Sequence, residues 1–377
     1  MRSPTDRGDA TELAISSGSA HRCLWPDTQP LSGLNRTWPA EWEPHDATWI
    51  AWPHHEPDWP GKLGAIPWVY AEIVRALHTH ERVEILCHDE RVRHDAGRTL
   101  DAHAIDRSGY RLHIVPNDRV WLRDSAPTFV RNGGDIELIN WRFNGWAKYD
   151  NHERDEKVGE AVEQISGLPR TMAKRDDGSW LVLEGGGIET DGSGCLLVTE
   201  EWLLSDVQVR NPGLSRNDYE SLFAEYLGVT DTIWLGNGCA GDDTHGHIDD
   251  IARFTPSGPV LLAYEENEND ENHASSVENL ARLESAGLRV TKLPYPRPVV
   301  MDGQRLPASY ANYYVANDVV IVPTFNDPKD RIALDIIARE HPGREAVGIH
   351  AVDLVWGLGT LHCLTQQQPT ARRNDSR

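Results

Sequence analysis

PWVYAEIVRALHTH (Pro67–His80) lies between two apolar runs, ATWIAWP (Ala47–Pro53) and RVEILCHD (Arg82–Asp89), and that order decides the fold class. Val69, Ile73, Val74 and Leu77 fall on one face of a helix, because residues three and four apart are neighbours there. The flanking runs are too short for helices and read as buried strands, the first ended by Pro53. A polar helix-like stretch and a further strand, YRLHIVP (Tyr110–Pro116), follow.

Outward from this unit the pattern recurs, with hairpins added. PTFVRNGGDIELINWRFN (Pro127–Asn144) reads as a hairpin turning at Asn132-Gly133-Gly134, and GGGIETDGSGCLLVTEEWLL (Gly185–Leu204) as another, turning at Asp191 to Gly194. DYESLFAEYLG reads as a helix closed by Gly228. Strand, helix, strand follows twice more, from Pro259 to Pro294 and from Ala308 to Leu354. A doubly wound parallel sheet carries few hairpins. The order instead suggests ββαβ modules in an α/β chain, without self-similarity between residues of different modules. Residues 1–30 are polar and aperiodic and are expected to be a flexible tail. Nothing like a Pro/Ser-rich linker interrupts residues 39–368, so 31–369 is expected to be one domain, with 370–377 a C-terminal tail.

The chain has 377 residues, 59 acidic and 37 basic side chains, and a formal charge of −22. Such a surface repels a phosphate backbone and attracts small cations, which argues against nucleic acid as a partner. No apolar run is long enough for a membrane helix. Five cysteines, widely spaced, fit neither a CxxC metal pair nor a disulfide framework. With no apolar leader segment visible, free thiols in the cytoplasm are expected. Fourteen tryptophans against five phenylalanines suit a Trp-rich core or a pocket for an organic cation.

Four polar segments set titratable groups among glycines, aromatics or turns. NDRVWLRDSAP (Asn117–Pro127) carries Asp118, Arg123 and Asp124 at a strand end, either a pocket rim or a surface ion pair. LEGGGIETDG (Leu183–Gly192) puts Glu184 before three glycines, which allow close backbone approach. GDDTHGHIDDIARF (Gly241–Phe254) gathers His245, His247, Asp249 and other acids. If extended, 245, 247 and 249 share a face. That arrangement suits either a metal bound by His-x-His and a carboxylate or a general acid/base histidine beside a cation-binding carboxylate. VWGLGTLHCLTQQQP (Val355–Pro369) holds Cys363 after a glycine-rich turn, where His362 suggests exposure. Cys363 is either an inert buried thiol or a nucleophile. A cysteine, a histidine and several carboxylates together suit a guanidinium. Carboxylates hold it bidentately, a thiolate reaches its central carbon, and a histidine protonates departing ammonia.

PAEWEPHDATWIAWPHHEPDWPG, NDRVWLRDSAPTFV, LEGGGIETDG with LLVTEEWLL, DTHGHIDDIARF and LHCLTQQQP, in that order from Pro39 to Pro369, resemble the agmatine deiminase family. That family is grouped with the bacterial-type peptidylarginine deiminases in the guanidino-group modifying superfamily. The resemblance implies a five-bladed α/β propeller, the pentein fold, built of ββαβ units. It implies Cys363 as nucleophile, His247 as catalytic histidine, Asp124 and Asp249 as carboxylates on the substrate, and Glu184 as a supporting acid. Trp121 and Arg123, in the same motif as Asp124, are expected to help bind the substrate. The implied reaction converts agmatine and water to N-carbamoylputrescine and ammonia through a covalent thiouronium on cysteine, as in putrescine biosynthesis. Neither a metal nor an organic cofactor is implied, and a homo-oligomer is left open. Another guanidine, free or peptidyl arginine, is the alternative substrate, and a His/Asp metallohydrolase the alternative chemistry. The chain departs from the family pattern at Leu358 and Thr360 before the cysteine, at Gly187, and at Trp202 where the family often has cysteine.

Overall fold

The computed structural model describes residues 36–371. The expected tail 1–30 lies outside the described residues, as does most of 370–377. Thr370 itself is tied down: its N–H donates to the Pro44 carbonyl at 2.8 Å and its hydroxyl to Asp46 at 3.1 Å.

Five sheets of three or four strands share one plan, beside a two-stranded hairpin. In each, a central strand pairs antiparallel with one neighbour and, beyond a helical connection, parallel with another. Asp135–Asn140 lies between Thr128–Asn132 and Arg170–Met172, with Arg36–Thr37 added at the edge. Cys195–Thr199 lies between Glu189–Thr190 and Asp231–Leu235, and Val260–Tyr264 between Ala252–Phe254 and Val290–Pro294. Val319–Thr324 lies between Tyr314–Val315 and Glu345–His350. The remaining sheet joins distant parts of the chain. Its order is Gln366–Pro369, His45–Ala51, Arg82–Cys87, Tyr110–Ile114. The ββαβ reading therefore holds in strand order, with mixed sheets throughout. No sheet among the described residues closes on itself.

Local chemistry explains the elements. Pro67 sits in the first turn of helix Ile66–Leu77, where a missing N–H costs nothing, and Val69, Ile73, Val74 and Leu77 are all buried. Helix Arg216–Leu227 opens on a Ser215–Asp218 capping box and ends at Gly228 in the left-handed region. The Gln run, polar in sequence, is a buried strand, because it pairs with His45–Ala51 and its amides bond inward, Gln368 to the Trp49 indole and Gln366 to the Pro127 carbonyl. Trp49, Trp52, Trp59 and Trp202 are fully buried core. No helix among the described residues is long and apolar enough to cross a membrane. Cys87, Cys239 and Cys363 are free, whereas Cys195 is disulfide-bonded, so thiols throughout do not hold.

In every unit a short turn immediately precedes the antiparallel strand. These are Leu122–Ser125, Gly185–Gly187, Ile248–Asp250, the turn ending at Asn312, and Leu361–Leu364. Neighbouring turns touch in sequence. Gly186 N donates to Asp124 (3.0 Å), Asn312 Nδ2 to Asp250 (3.0 Å), His362 N to the Asn312 carbonyl (3.1 Å) and Arg123 Nε to the His362 carbonyl (3.4 Å).

Candidate active site

The four polar segments noted in the sequence supply four of these five turns, so residues far apart in the chain meet at one place. Cys363 lies in the turn Leu361–Leu364 and is 8% exposed. Its Sγ is 3.1 Å from Asn312 Nδ2 and 3.7 Å from Asp249 Oδ2. Burial, then the charges of Asp249, Asp250 and Asp124, push the thiol well above its ordinary pKa. Without a cation beside it, the sulfur keeps its proton.

Asp249 is fully buried. Its Oδ2 meets His362 Nδ1 at 2.7 Å, and its Oδ1 has no partner. Burial alone would raise its pKa, but the hydrogen bond and charge of His362, with His247, hold it below the usual range. Asp124 accepts from the Trp146 indole at 2.9 Å through Oδ2 and from Gly186 N at 3.0 Å through Oδ1. Burial, with the charges of Asp249 and Glu184, raises Asp124 to about 6 against the pull of His247.

His247 is 1% exposed, with Nδ1 3.8 Å from Asp124 and Nε2 3.6 Å from Glu184, and neither nitrogen has a hydrogen-bond partner. Burial would lower its pKa, but Asp124, Glu184 and Asp249 outweigh burial and raise it to about 9. At neutral pH it is an imidazolium facing ionised Asp124. Glu184 has no exposed surface, accepting from Arg210 Nε at 3.1 Å and from the Trp202 indole at 2.8 Å. Burial opposes its ionisation, yet Arg210 and His247 bring it down to about 2. A side chain on Gly186 would come 2.6 Å from His247 Nδ1 and 2.8 Å from Asp124 Oδ1. Only glycine lets these two groups approach.

Cys363, Asp124 and Trp121 line a cavity of about 290 Å³ with Trp146, Tyr149 and Trp356. Arg123 does not line it. Its guanidinium is 2% exposed and committed to Gln367 (2.7 Å), Glu41 (3.2 Å) and the His362 carbonyl. His245 also departs from expectation. The segment is not extended: His245 and Gly246 have φ of 66° and 100°, and the bend sends the His245 ring to Ser205 Oγ, 2.9 Å away. The His-x-His-x-Asp set is therefore not assembled, and among the described residues no three His, Cys, Asp or Glu side chains are grouped to hold a metal. His362 is buried and not in an exposed turn, because its Nε2 meets Glu41 (2.8 Å) while Nδ1 meets Asp249.

Sequence reasoning missed Asn312, Glu41 and Arg210. Asn312 stands before the first strand of its unit, as Asp124, Glu184, Asp249 and Cys363 do, and that shared position was the available signal. Thr360, a departure from the family pattern, donates its hydroxyl to Asn312 Oδ1 at 2.7 Å. Leu358, another, adopts φ 70° and lines the cavity.

A protein-family model described as Porphyromonas-type peptidyl-arginine deiminase matches residues 37–369. An agmatine deiminase of Pseudomonas aeruginosa is 34% identical over 366 residues, covering 89% of this chain and 96% of the relative. The solved agmatine deiminase of Enterococcus faecalis superposes with a TM-score of 0.81 at 29% identity, covering 92% of this chain and all of that one. A C. jejuni agmatine deiminase, a cysteine-to-serine variant with substrate bound, gives 0.82 at 25% identity with the same coverage.

Proposed function

This chain belongs to the Porphyromonas-type peptidyl-arginine deiminase family, and we propose that it hydrolyses agmatine to N-carbamoylputrescine and ammonia. The observation that carries this reading is the meeting of a thiol, two carboxylates and an imidazolium, of which the thiol and Asp124 line the cavity. Cys363 lies 3.7 Å from Asp249, and His247 lies 3.8 Å from Asp124.

A guanidinium entering between Asp124 and Asp249 finds the unpartnered Asp249 Oδ1 as an acceptor. Its positive charge offsets the carboxylates that hold the Cys363 proton, so the thiol ionises on binding and releases its proton to solvent. The thiolate adds to the guanidinium carbon. His247, already protonated, gives its proton to the leaving nitrogen as the C–N bond breaks. Ammonia departs and a thiouronium remains on sulfur. His247, now neutral, takes a proton from water as its oxygen adds to the same carbon. The C–S bond then breaks, the hydroxyl proton leaves to solvent as the urea carbonyl forms, and the thiolate returns. Asn312 Nδ2 at 3.1 Å supplies a donor to the sulfur in both steps.

The walls favour agmatine over arginine. An α-carboxylate needs a free cation, and Arg119 on the cavity wall is engaged by Asp58 (2.6 Å) and Asn151 (3.0 Å) and stacks on Tyr149. Indole faces at Trp121 and Trp146 suit an alkyl-ammonium chain. We read the five units as the blades of one propeller, the pentein arrangement, within a single domain over 31–369. The succession of contacts between their turns supports this. The free thiols of Cys87, Cys239 and Cys363 support a cytoplasmic location, and the Cys195 disulfide counts against it.

Ammonia release from agmatine, arginine and a blocked arginine peptide tests the assignment. Agmatine is expected to have the highest kcat/KM. A higher value for arginine would reassign the substrate, and tight agmatine binding without ammonia would remove the catalytic reading.

A further inference from the structure

A second cavity, about 430 Å³, is lined by Arg142, Arg175, Arg210, His152, Ser179 and Trp180, among others, with no carboxylate among its described lining residues. In a chain of net charge −22, three guanidinium groups around one hollow run against the general composition. Lys174 adds a fourth cation, its Nζ 5.9 Å from the ring centre of half-exposed Trp180. Arg210 is committed to Glu184, but the other two guanidinium groups are not used up by acids. Among the described residues the Arg142 side chain meets Glu156 (3.2 Å), with both side chains well exposed, and such pairs hold weakly against a competing anion. Arg175 donates to the Pro212 carbonyl at 3.2 Å, and Asp177 and Asp218 act on it only at longer range. His152 Nδ1 is buried without a hydrogen-bond partner.

The inner wall leads to the catalytic groups. Arg210 is 4% exposed, and its Nε donates to Glu184 at 3.1 Å. Glu184 in turn lies 3.6 Å from His247. Arg210 is also two residues from Pro212, which Arg175 holds.

We propose that this cavity binds a small oxyanion, a phosphate or a carboxylate, and that occupancy is felt at His247 through Arg210 and Glu184. Arg142 and Arg175 present planar donor pairs of the kind that match such oxyanions. A negative charge here offsets part of the Arg210 field. Glu184 then pulls harder on the His247 imidazolium, which is slower to give up its proton, and turnover falls. The coupling rests on the role proposed for His247. The binding does not.

Calorimetric titration with inorganic phosphate and with citrate, at constant ionic strength, tests the site, and the stronger of the two identifies the anion class. Saturable binding is expected, weakened about tenfold or more in Arg142→Gln and in Arg175→Gln. Both substitutions are at side chains with solvent access, and unchanged thermal unfolding checks that they fold. Agmatine turnover in saturating anion is expected to fall about fivefold, the low end of ordinary coupling, while both variants turn over normally and ignore the anion. Absence of saturable binding, or equal affinity in the variants, overturns the site. Binding that leaves turnover unchanged overturns the coupling. The titration reads the site even in a protein that turns over no guanidine.

Discussion

The Trp202 indole occupies the space that a side chain on Gly187 would need: a Cβ there would lie 2.4 Å from two ring carbons. The same ring donates to Glu184 and stands edge-on to His247, with centroids 5.5 Å apart. Gly187 and Trp202 therefore share one space. Gly187→Ser is expected to cost about 1–3 kcal/mol through overpacking, and to lower kcat by displacing the ring from both catalytic groups. Paired with Trp202→Cys, the loss should be partly recovered. Urea unfolding across the double-mutant cycle measures this, and additive effects would mean the two positions do not share the space.

Cys363→Ala should leave the fold intact and abolish turnover, with Cys363→Ser no better, since a hydroxyl in this carboxylate-rich site will not ionise. Circular dichroism and ammonia release check the two halves. Iodoacetamide should reach Cys363 before Cys87 or Cys239, because Cys363 alone of these three lines the cavity, beside Asp124. Peptide mapping after brief labelling decides it.

The bend at His245 separates two histidines that an extended chain would put side by side. His247→Ala should lose several orders of magnitude in kcat. His245→Ala, which gives up a contact to Ser205, should lose far less. The opposite ranking in steady-state kinetics would hand the acid/base role to His245.

Asp124→Asn and Asp249→Asn keep size but turn an amide NH₂ toward a guanidinium donor. Each should cost about 2–5 kcal/mol in transition-state binding, the range for breaking a buried charge pair, and equally for every guanidine in a panel. A variant that changed the agmatine-to-arginine preference while keeping full activity on one of them would show its aspartate to be reading the chain instead.

Two ionisations should break the pH profile of kcat/KM. Asp124, raised to about 6, must lose its proton to accept the guanidinium, so the rate rises more steeply below that region than above it. His247, raised to about 9, must keep its proton to expel ammonia while the Cys363 thiol, raised still further, must shed its own, so the rise with pH levels off through about 9. A pH profile of kcat/KM for agmatine reads both as properties of the coupled site. A rate still rising past pH 9 would contradict the imidazolium acid. The same shifts act on stability in one sense. A carboxyl raised above its unfolded value favours the fold at low pH, and that contribution fades as pH rises through about 6. The raised His247 favours the fold below its unfolded pKa, and its contribution is lost as pH climbs through about 9.

Strand and helix order was legible because period and turn chemistry are local. The Val69–Leu77 stripe, the Gly133-Gly134 turn and the Gly228 cap each depend on a few neighbouring residues. Residues 245–247 were not legible, because positive φ at a histidine cannot be read from composition. Nor was the burial of the Gln run, which depends on pairing with a strand more than three hundred residues earlier. Arg123 read as a substrate ligand because it adjoins Asp124. Its direction is set by Glu41 and Gln367, distant partners no spacing rule reveals.

The concentration of buried acid around Cys363 has a practical consequence for anyone measuring this protein's stability. Guanidinium chloride is not an innocent denaturant here, since its cation is the recognised headgroup of the proposed substrate. At low concentration it occupies the site and stabilises the native state by RT ln(1 + [L]/Kd). Only at higher concentration does general solvation of the chain win. The guanidinium curve should therefore bow upward before it falls, and a linear extrapolation from its steep arm will misstate the stability in water. Urea, of similar shape but uncharged, lacks the Coulombic attraction and should give a straight line. The gap between the two extrapolations reports how well the empty site holds a bare guanidinium.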